Sequence, residues 1–153
     1  MIRRATPADA ATLARLNAHV QGWHAAHYPE AFFPNPDPVA LTAHFADRLA
    51  DPACAAFVTG EPAFGYALCT LQTRATSVFS PGYRRLMIDH IAVVPDARRK
   101  GHGRALLDAA RHLARDLKAE ELLLDTWEAN HEAQAFFRAA GFAPRRMLFR
   151  AVP

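Results

Sequence analysis

At 153 residues and 51% hydrophobic, the chain suits one compact domain with a real core. The formal net charge is +3, yet Arg98, Arg99, Lys100 and Arg104 carry four positive charges in one short loop, so the remainder sums to −1. Charge confined to one spot excludes the usual nucleic-acid binder, which spreads it along a face or groove, and suits a single small anionic ligand.

In chain order, Ile2 to Ala5 reads as a short strand, and Thr6-Pro7-Ala8-Asp9 as a helix start with Thr as N-cap and Pro at the first position. Leu13, Leu16 and Val20 continue that helix. Arg3-Arg4 lacks the apolar core of an export signal, because Asp9, Thr12 and Arg15 interrupt it. The segment GWHAAHYPEAFFPNPDP, rich in proline and aromatics, is expected to be a long ordered loop. A second helix is expected from Pro38 to Ala50, ended by Asp51-Pro52.

Ala55 to Thr59 and Phe64 to Leu71 are expected to form a hairpin through Gly60-Glu61-Pro62. Thr73 to Gly82 reads as a loop, and Leu86 to Val94 as an apolar strand broken only by Asp89 and His90. A helix from Gly103 carries Leu106, Ala110, Leu113 and Leu117 on one face. A buried strand is expected from Leu122 to Trp127. Asn130 opens a last helix with Ala133, Phe136, Phe137 and Ala140 at helical spacing, capped by Gly141. Met147 to Val152 is expected to be a final strand.

The strand, glycine loop and helix around Arg98 predict a parallel βαβ unit in an otherwise antiparallel sheet, so the class is mixed α/β in one domain, residues 1–153. Cys54 and Cys69 sit in apolar context and read as buried reduced thiols. No apolar run approaches the roughly 20 residues of a membrane span, and the expectation is a soluble, cytoplasmic protein. His24-x-x-His27 has no matching cluster of Cys or carboxylates, so no metal is expected. Arg145, Arg146 and Arg150 read as solvated surface.

The loop Arg98 to Arg104 opens a helix, where unpartnered N–H groups and a partial positive charge receive phosphate. Glycines let a ligand approach the backbone. The nucleoside-triphosphate loop pattern is absent, and the dinucleotide fingerprint fails at its third glycine, where Leu106 stands, although Asp125 falls where that fingerprint wants an acid. What remains is a diphosphate cradle on another scaffold.

Arg98-x-x-Gly101-x-Gly103 after Ile91-Ala92-Val93-Val94-Pro95 resembles the R/Q-x-x-G-x-G/A motif of the GNAT superfamily of acyl-CoA-dependent N-acetyltransferases. Asn130-x-x-Ala133-x-x-Phe136-Phe137-x-x-x-Gly141-Phe142 resembles the second signature of that family, and Ile2 to Asp9 its usual opening. The resemblance spans the whole chain. It implies a mixed, mostly antiparallel sheet whose central parallel pair splays at an acetyl-CoA site, with helices on both faces. Acetyl-CoA would be the co-substrate. Its pyrophosphate would meet the backbone of Arg99, Lys100, Gly101, His102, Gly103 and Arg104. Its pantetheine arm would run along Ile91, Ala92 and Val93, with Asn130, Ala133 and Phe137 beside it. One departure stands out: Phe137 takes the place of a Tyr commonly proposed to protonate the leaving thiolate. Tyr83 or a water is a possible replacement.

An amine attacking a thioester must be neutral, and an alkyl ammonium with pKa of about 10 needs a base or water chain to deprotonate it. Asp89 is the favoured base, since the period of two puts it on one face with Ile91. His90 and Glu128 are the alternatives. A backbone N–H near Ile91 or Ala92 would meet the developing oxyanion. Trp23, His24, His27, Tyr28 and Trp127 are expected to shape the pocket for a small-molecule or peptide amine. Family members are often dimers, so a homodimer is possible. The rival function is an acyl-CoA-binding sensor or interaction module without turnover.

Overall fold

The computed structural model describes residues 1–153. Strand β1 (Ile2–Arg4) leads through a single 3-10 turn at Pro7–Asp9 into α1 (Ala10–His27). The turn is fixed by charge and capping together. Arg3 forks onto both oxygens of Asp9 at 2.7 and 2.9 Å, and the Thr6 N–H donates to Asp9 Oδ2 at 2.8 Å. These bonds hold the buried carboxyl well below the usual carboxylate range. Helix α2 (Pro38–Ala50) follows, with the Asp37 side chain accepting from the Ala40 N–H at 2.7 Å as its N-cap.

Strands β2 (Cys54–Gly60), β3 (Ala63–Arg74) and β4 (Tyr83–Val93) form an antiparallel meander. Helix α3 (His102–Asp116) crosses over to β5 (Glu121–Leu124), which pairs parallel to β4, and α4 (His131–Ala139) closes the order. The strands lie in the sequence β1-β2-β3-β4-β5 in one sheet. Expected class, parallel pair and helices on both faces are all present.

Two cores flank the sheet. Beneath α1 and α2 lie Leu13, Leu16, Phe45, Val58, Tyr66, Leu68 and Ala92. On the other face Leu86, Ile88, Leu107, Ala110, Leu113 and Phe137 pack under α3 and α4. Each large side chain fully buried here contributes roughly 1.5–3 kcal/mol.

Three expectations need correction. Gly22 to His27 is helix, not loop: Trp23 and His27, one turn apart, stack at 4.0 Å between ring centroids, and the helix ends only at Tyr28, before Pro29. Strand β5 stops at Leu124, short of Trp127. Met147 to Val152 is not a strand, and no backbone group of residues 143–153 makes a backbone hydrogen bond.

A fourth correction positions the site. The β3–β4 register pairs Leu68 with His90 and Cys69 with Ile88, so Asp89 is an extra, bulged residue. The bulge breaks the period of two. Ile88 and Ile91 both face the α3/α4 core, while Asp89 and His90 both turn toward α2. Asp89 therefore does not share a face with Ile91.

Candidate active site

The loop between β4 and α3 carries two residues in left-handed conformation, Arg99 at φ 59° and Gly101 at φ 84°. Gly101 is the N-cap of α3, and its carbonyl accepts from the Ala105 N–H at 3.0 Å. No protein acceptor meets the N–H groups of residues 99 to 104. A row of six free donors at a helix start is an anion cradle. Gly103 sits at a close approach: a Cβ there would stand 3.0 Å from Cζ of Phe136, whose ring would have to yield by a few tenths of an ångström.

The basic side chains mostly serve the loop itself. Arg98 Nε donates to the Val93 carbonyl at 3.0 Å, Lys100 Nζ to the Asp96 carbonyl at 2.9 Å, and Arg104 to the Ala139 carbonyl at 3.3 Å. Only Arg99 has no protein partner. The electrostatic attraction of the four charges remains, but three are tethered.

Beside the loop, β4 and β5 part. Their pairing ends at Ile88 and Leu124, although β4 continues to Val93. The Val94 N–H donates to the Phe64 carbonyl on β3 at 2.9 Å. By strand alternation Ala92 turns its backbone to β3 as well, and Ile91 and Val93 turn theirs to the open edge. An extended chain with amide groups, placed along that edge, finds ladder partners there.

On the α2 side of β4 a cleft of roughly 250 Å³ is lined by His44, Arg48, Leu68, Asp89 and His90. Asp89 Oδ2 accepts from Arg48 at 2.7 Å and from the Thr70 hydroxyl, and its Oδ1 has no protein partner. His90 Nδ1 lies 3.2 Å from the Tyr66 hydroxyl, which also accepts from Asn17 Nδ2 at 3.0 Å. Burial pushes the His90 ring down to about 4, against a smaller opposing pull from Asp89. His90 is therefore neutral near pH 7.

The expected acceptor residues come together at the end of α1. Tyr28 packs against Trp127 at 4.2 Å, and its hydroxyl accepts from the Ala129 N–H at 3.1 Å. His24 stacks on Phe32 at 4.6 Å, while His27 stacks on Trp23. The two histidines thus have separate partners. Burial also lowers the pKa of His24. Asn130 is the N-cap of α4, its Oδ1 accepting from the Ala133 N–H at 3.1 Å, which leaves its Nδ2 free.

The remaining expected residues stand apart. Glu128 is exposed in the loop after β5 and does not line the cleft. Phe137 is 8% exposed and packs in the α3/α4 core, so it is Phe136 that meets the glycine loop. Tyr83 lies between Arg74 and Arg85 at the start of β4, eight residues or roughly 26 Å along the strand from Ile91, too far to serve a thiolate there. Sequence reasoning missed Arg48, His44, Thr70 and Tyr66. The first two lie on α2 and carried no motif; only the β-bulge brings Asp89 to them.

A mixed sheet whose single parallel pair opens beside a glycine loop rich in free N–H groups is the architecture of an acetyltransferase. The sequence matches the acetyltransferase (GNAT) family over residues 19–142, and the chain belongs to that family. No curated protein matches it. The fold is similar to that of a tetramutant of the BH1408 protein from Bacillus halodurans, at TM-score 0.91 and 19% identity, covering 100% of this chain and 99% of that one. A transcriptional regulator from Bacillus halodurans C-125 aligns at TM-score 0.78 and 22% identity, over 99% and 98% of the two chains. Aminoglycoside N-acetyltransferase AAC(6')-Iy, in complex with CoA, aligns at TM-score 0.79 and 19% identity, over 99% and 93%.

Proposed function

We propose that this protein moves an acetyl group from acetyl-CoA to a primary amine by direct attack on the thioester. The observation that carries the reading is the row of six free N–H groups at residues 99 to 104 beside the open backbone edge of Ile91 and Val93. A diphosphate fits the first and an amide-bearing pantetheine arm the second. Acetyl-CoA supplies the activated acyl group, and the chain supplies everything else. The likeness to an acetyltransferase solved with a bisubstrate analogue, CoA-S-monomethyl-acetylneamine, supports an amine as acceptor.

Asp89 accepts the ammonium proton at Oδ1, directly or through water, while Arg48 and Thr70 hold Oδ2 in place. His90, neutral at physiological pH and with its Nδ1 against the Tyr66 hydroxyl, acts as a polar wall of the cleft. The Ile91 N–H, turned to the open edge, stabilises the developing negative charge on the thioester oxygen. Trp23, His24, His27, Tyr28 and Trp127 shape the acceptor pocket. A cytoplasmic setting belongs to the same reading, supported by two buried free thiols, Cys54 and Cys69.

The rival, an acyl-CoA-binding module without turnover, draws on Phe137 standing where the family usually has Tyr. With that ring packed in the core, the missing hydroxyl carries little weight. Thiol release measured over a panel of primary amines, beside a calorimetric titration with CoA, separates the two. Turnover with any amine supports the transferase. Binding without turnover favours the module, and failure to bind CoA refutes both.

A further inference from the structure

The cleft beside Asp89 holds more unused donors than a proton transfer needs. A guanidinium has five N–H groups. Arg48 uses two of them, both on Nη2, toward the Thr70 hydroxyl at 2.6 Å and Asp89 Oδ2 at 2.7 Å. The other three have no protein acceptor. The one on Nε is shut away from water, the only buried side-chain polar atom left without a partner. The pair on Nη1 stays accessible in the cleft that Arg48 lines. A buried N–H without an acceptor is costly, and a guanidinium so short of acceptors is set to take another.

His90 adds a donor whose direction is fixed from behind. Asn17 Nδ2 donates to the Tyr66 hydroxyl at 3.0 Å, and that hydroxyl lies 3.2 Å from His90 Nδ1. Tyr66 is fully buried and Asn17 nearly so. With Asn17 donating to the phenol oxygen, the phenol proton has one acceptor in reach, Nδ1. Burial pushes the Tyr66 pKa up, so the phenol keeps its proton. Nδ1 therefore accepts, and in a neutral ring the proton then stands on Nε2. Nε2 has no protein partner, and the ring lines the cleft.

The cleft thus presents one cation, Arg48, one anion, Asp89, and a neutral donor. Its volume of roughly 250 Å³ falls below the roughly 300–1,000 Å³ of a pocket for a drug-sized ligand. We infer that the acceptor is a small amino acid, its carboxylate held by Arg48 Nη1 and His90 Nε2–H and its amino group facing Asp89 Oδ1. Asn17 and Tyr66 are the positioning residues that set the His90 proton. A plain amine would leave the two donors unmatched, and a plain acid would leave Asp89 unmatched. The inference rests on the acetyl-transfer reading and names its substrate class. The N–C bond forms and the thioester C–S bond breaks. Of the two protons lost by the ammonium nitrogen, one goes to Asp89 and the other, by way of water, to the departing sulfur.

The test pairs alanine, serine and leucine with their amides and their decarboxylated amines, at saturating acetyl-CoA. Each acid should show kcat/KM at least about tenfold above both counterparts, because a site built around a polar substrate group rejects the analogue lacking it. The amide loses its ammonium proton more easily than the acid and the amine less easily, so basicity alone cannot rank the acid first. Tyr66→Phe keeps the ring and removes the hydroxyl. Nitrogen NMR should find the wild-type His90 proton on Nε2, and in the variant shared between the two ring nitrogens. KM for the acids should rise several-fold in the variant, more than kcat falls, with CoA affinity unchanged. A wild-type ring protonated on Nδ1 overturns the inference, as does a folded variant with the wild-type tautomer and KM. Acids no better than their amides and amines overturn it too, while acetyl transfer stands with another acceptor. No turnover of any amine refutes the acetyl-transfer reading, and this inference with it. Should Tyr66→Phe fail to fold, the wild-type spectrum and the substrate pairs decide.

Discussion

His90 should make the protein acid-labile well before its carboxylates titrate. Its ring sits between Tyr66 and Phe45, with Asp89, His44, Arg48 and His24 bearing on it electrostatically. Burial lowers its pKa from 6.5 to about 4. Between those values the unfolded chain binds a proton that the folded protein refuses, so folding stability falls as pH falls. The full interval corresponds to about 3 kcal/mol, at 1.36 kcal/mol per tenfold change in proton affinity. That stability is present above about pH 6.5 and is lost progressively toward pH 4. Urea unfolding at about pH 7.5 and about pH 4.5 measures it, with His90→Gln as reference. The amide cannot titrate, so the wild type should lose more stability than the variant by a figure of that order. Subtraction removes the other histidines, which both proteins share. Equal losses would refute the claim that His90 is held neutral by burial.

Asp89→Asn keeps the shape of the bulge and removes the carboxylate proposed as proton acceptor. Turnover near neutral pH should fall about 10²–10⁴-fold, with partial recovery at high pH and unchanged CoA affinity; a wild-type pH–rate profile would move the role to Glu128 or His90. Gly101→Ala meets no atom within 4 Å but forces an L residue to φ 84°. It should lower stability by about 1–2 kcal/mol in thermal unfolding and weaken CoA binding. Phe137→Tyr adds a hydroxyl to a ring packed in the α3/α4 core, and should destabilise by about 1–3 kcal/mol without raising kcat; a kcat that rises at low pH would show the hydroxyl reaching the leaving sulfur.

What was legible in the sequence was local. Glycines, clustered charge and a preceding β-run sit within a dozen residues, so the loop before α3 could be read directly. Helical periodicity likewise located α2, α3 and α4. The geometry of the cleft was not local. One extra residue at Asp89 reverses the face of everything before it relative to everything after, and a bulge leaves no mark on an apolar run. The partners it selects, Arg48 and Thr70, are 41 and 19 residues away. Helix α1 outlasted its expected end because Trp23, His27 and Tyr28 find stacking partners that offset poor propensity. The missing final strand has the opposite cause: its pattern is strand-like, but within one chain no neighbour pairs with it.

The cradle of free N–H groups is tested most directly by calorimetric titration of CoA into the wild type and Gly103→Asp. The new side chain lies in the first turn of α3, where a carboxylate suits the helix dipole, and the Phe136 ring need yield only a few tenths of an ångström. The variant should therefore fold with an unchanged melting temperature. Its negative charge would stand among the donors meant for the diphosphate, and CoA affinity should fall at least about tenfold, or 1.4 kcal/mol. Equal affinity in the two folded proteins would contradict the glycine loop as the diphosphate site.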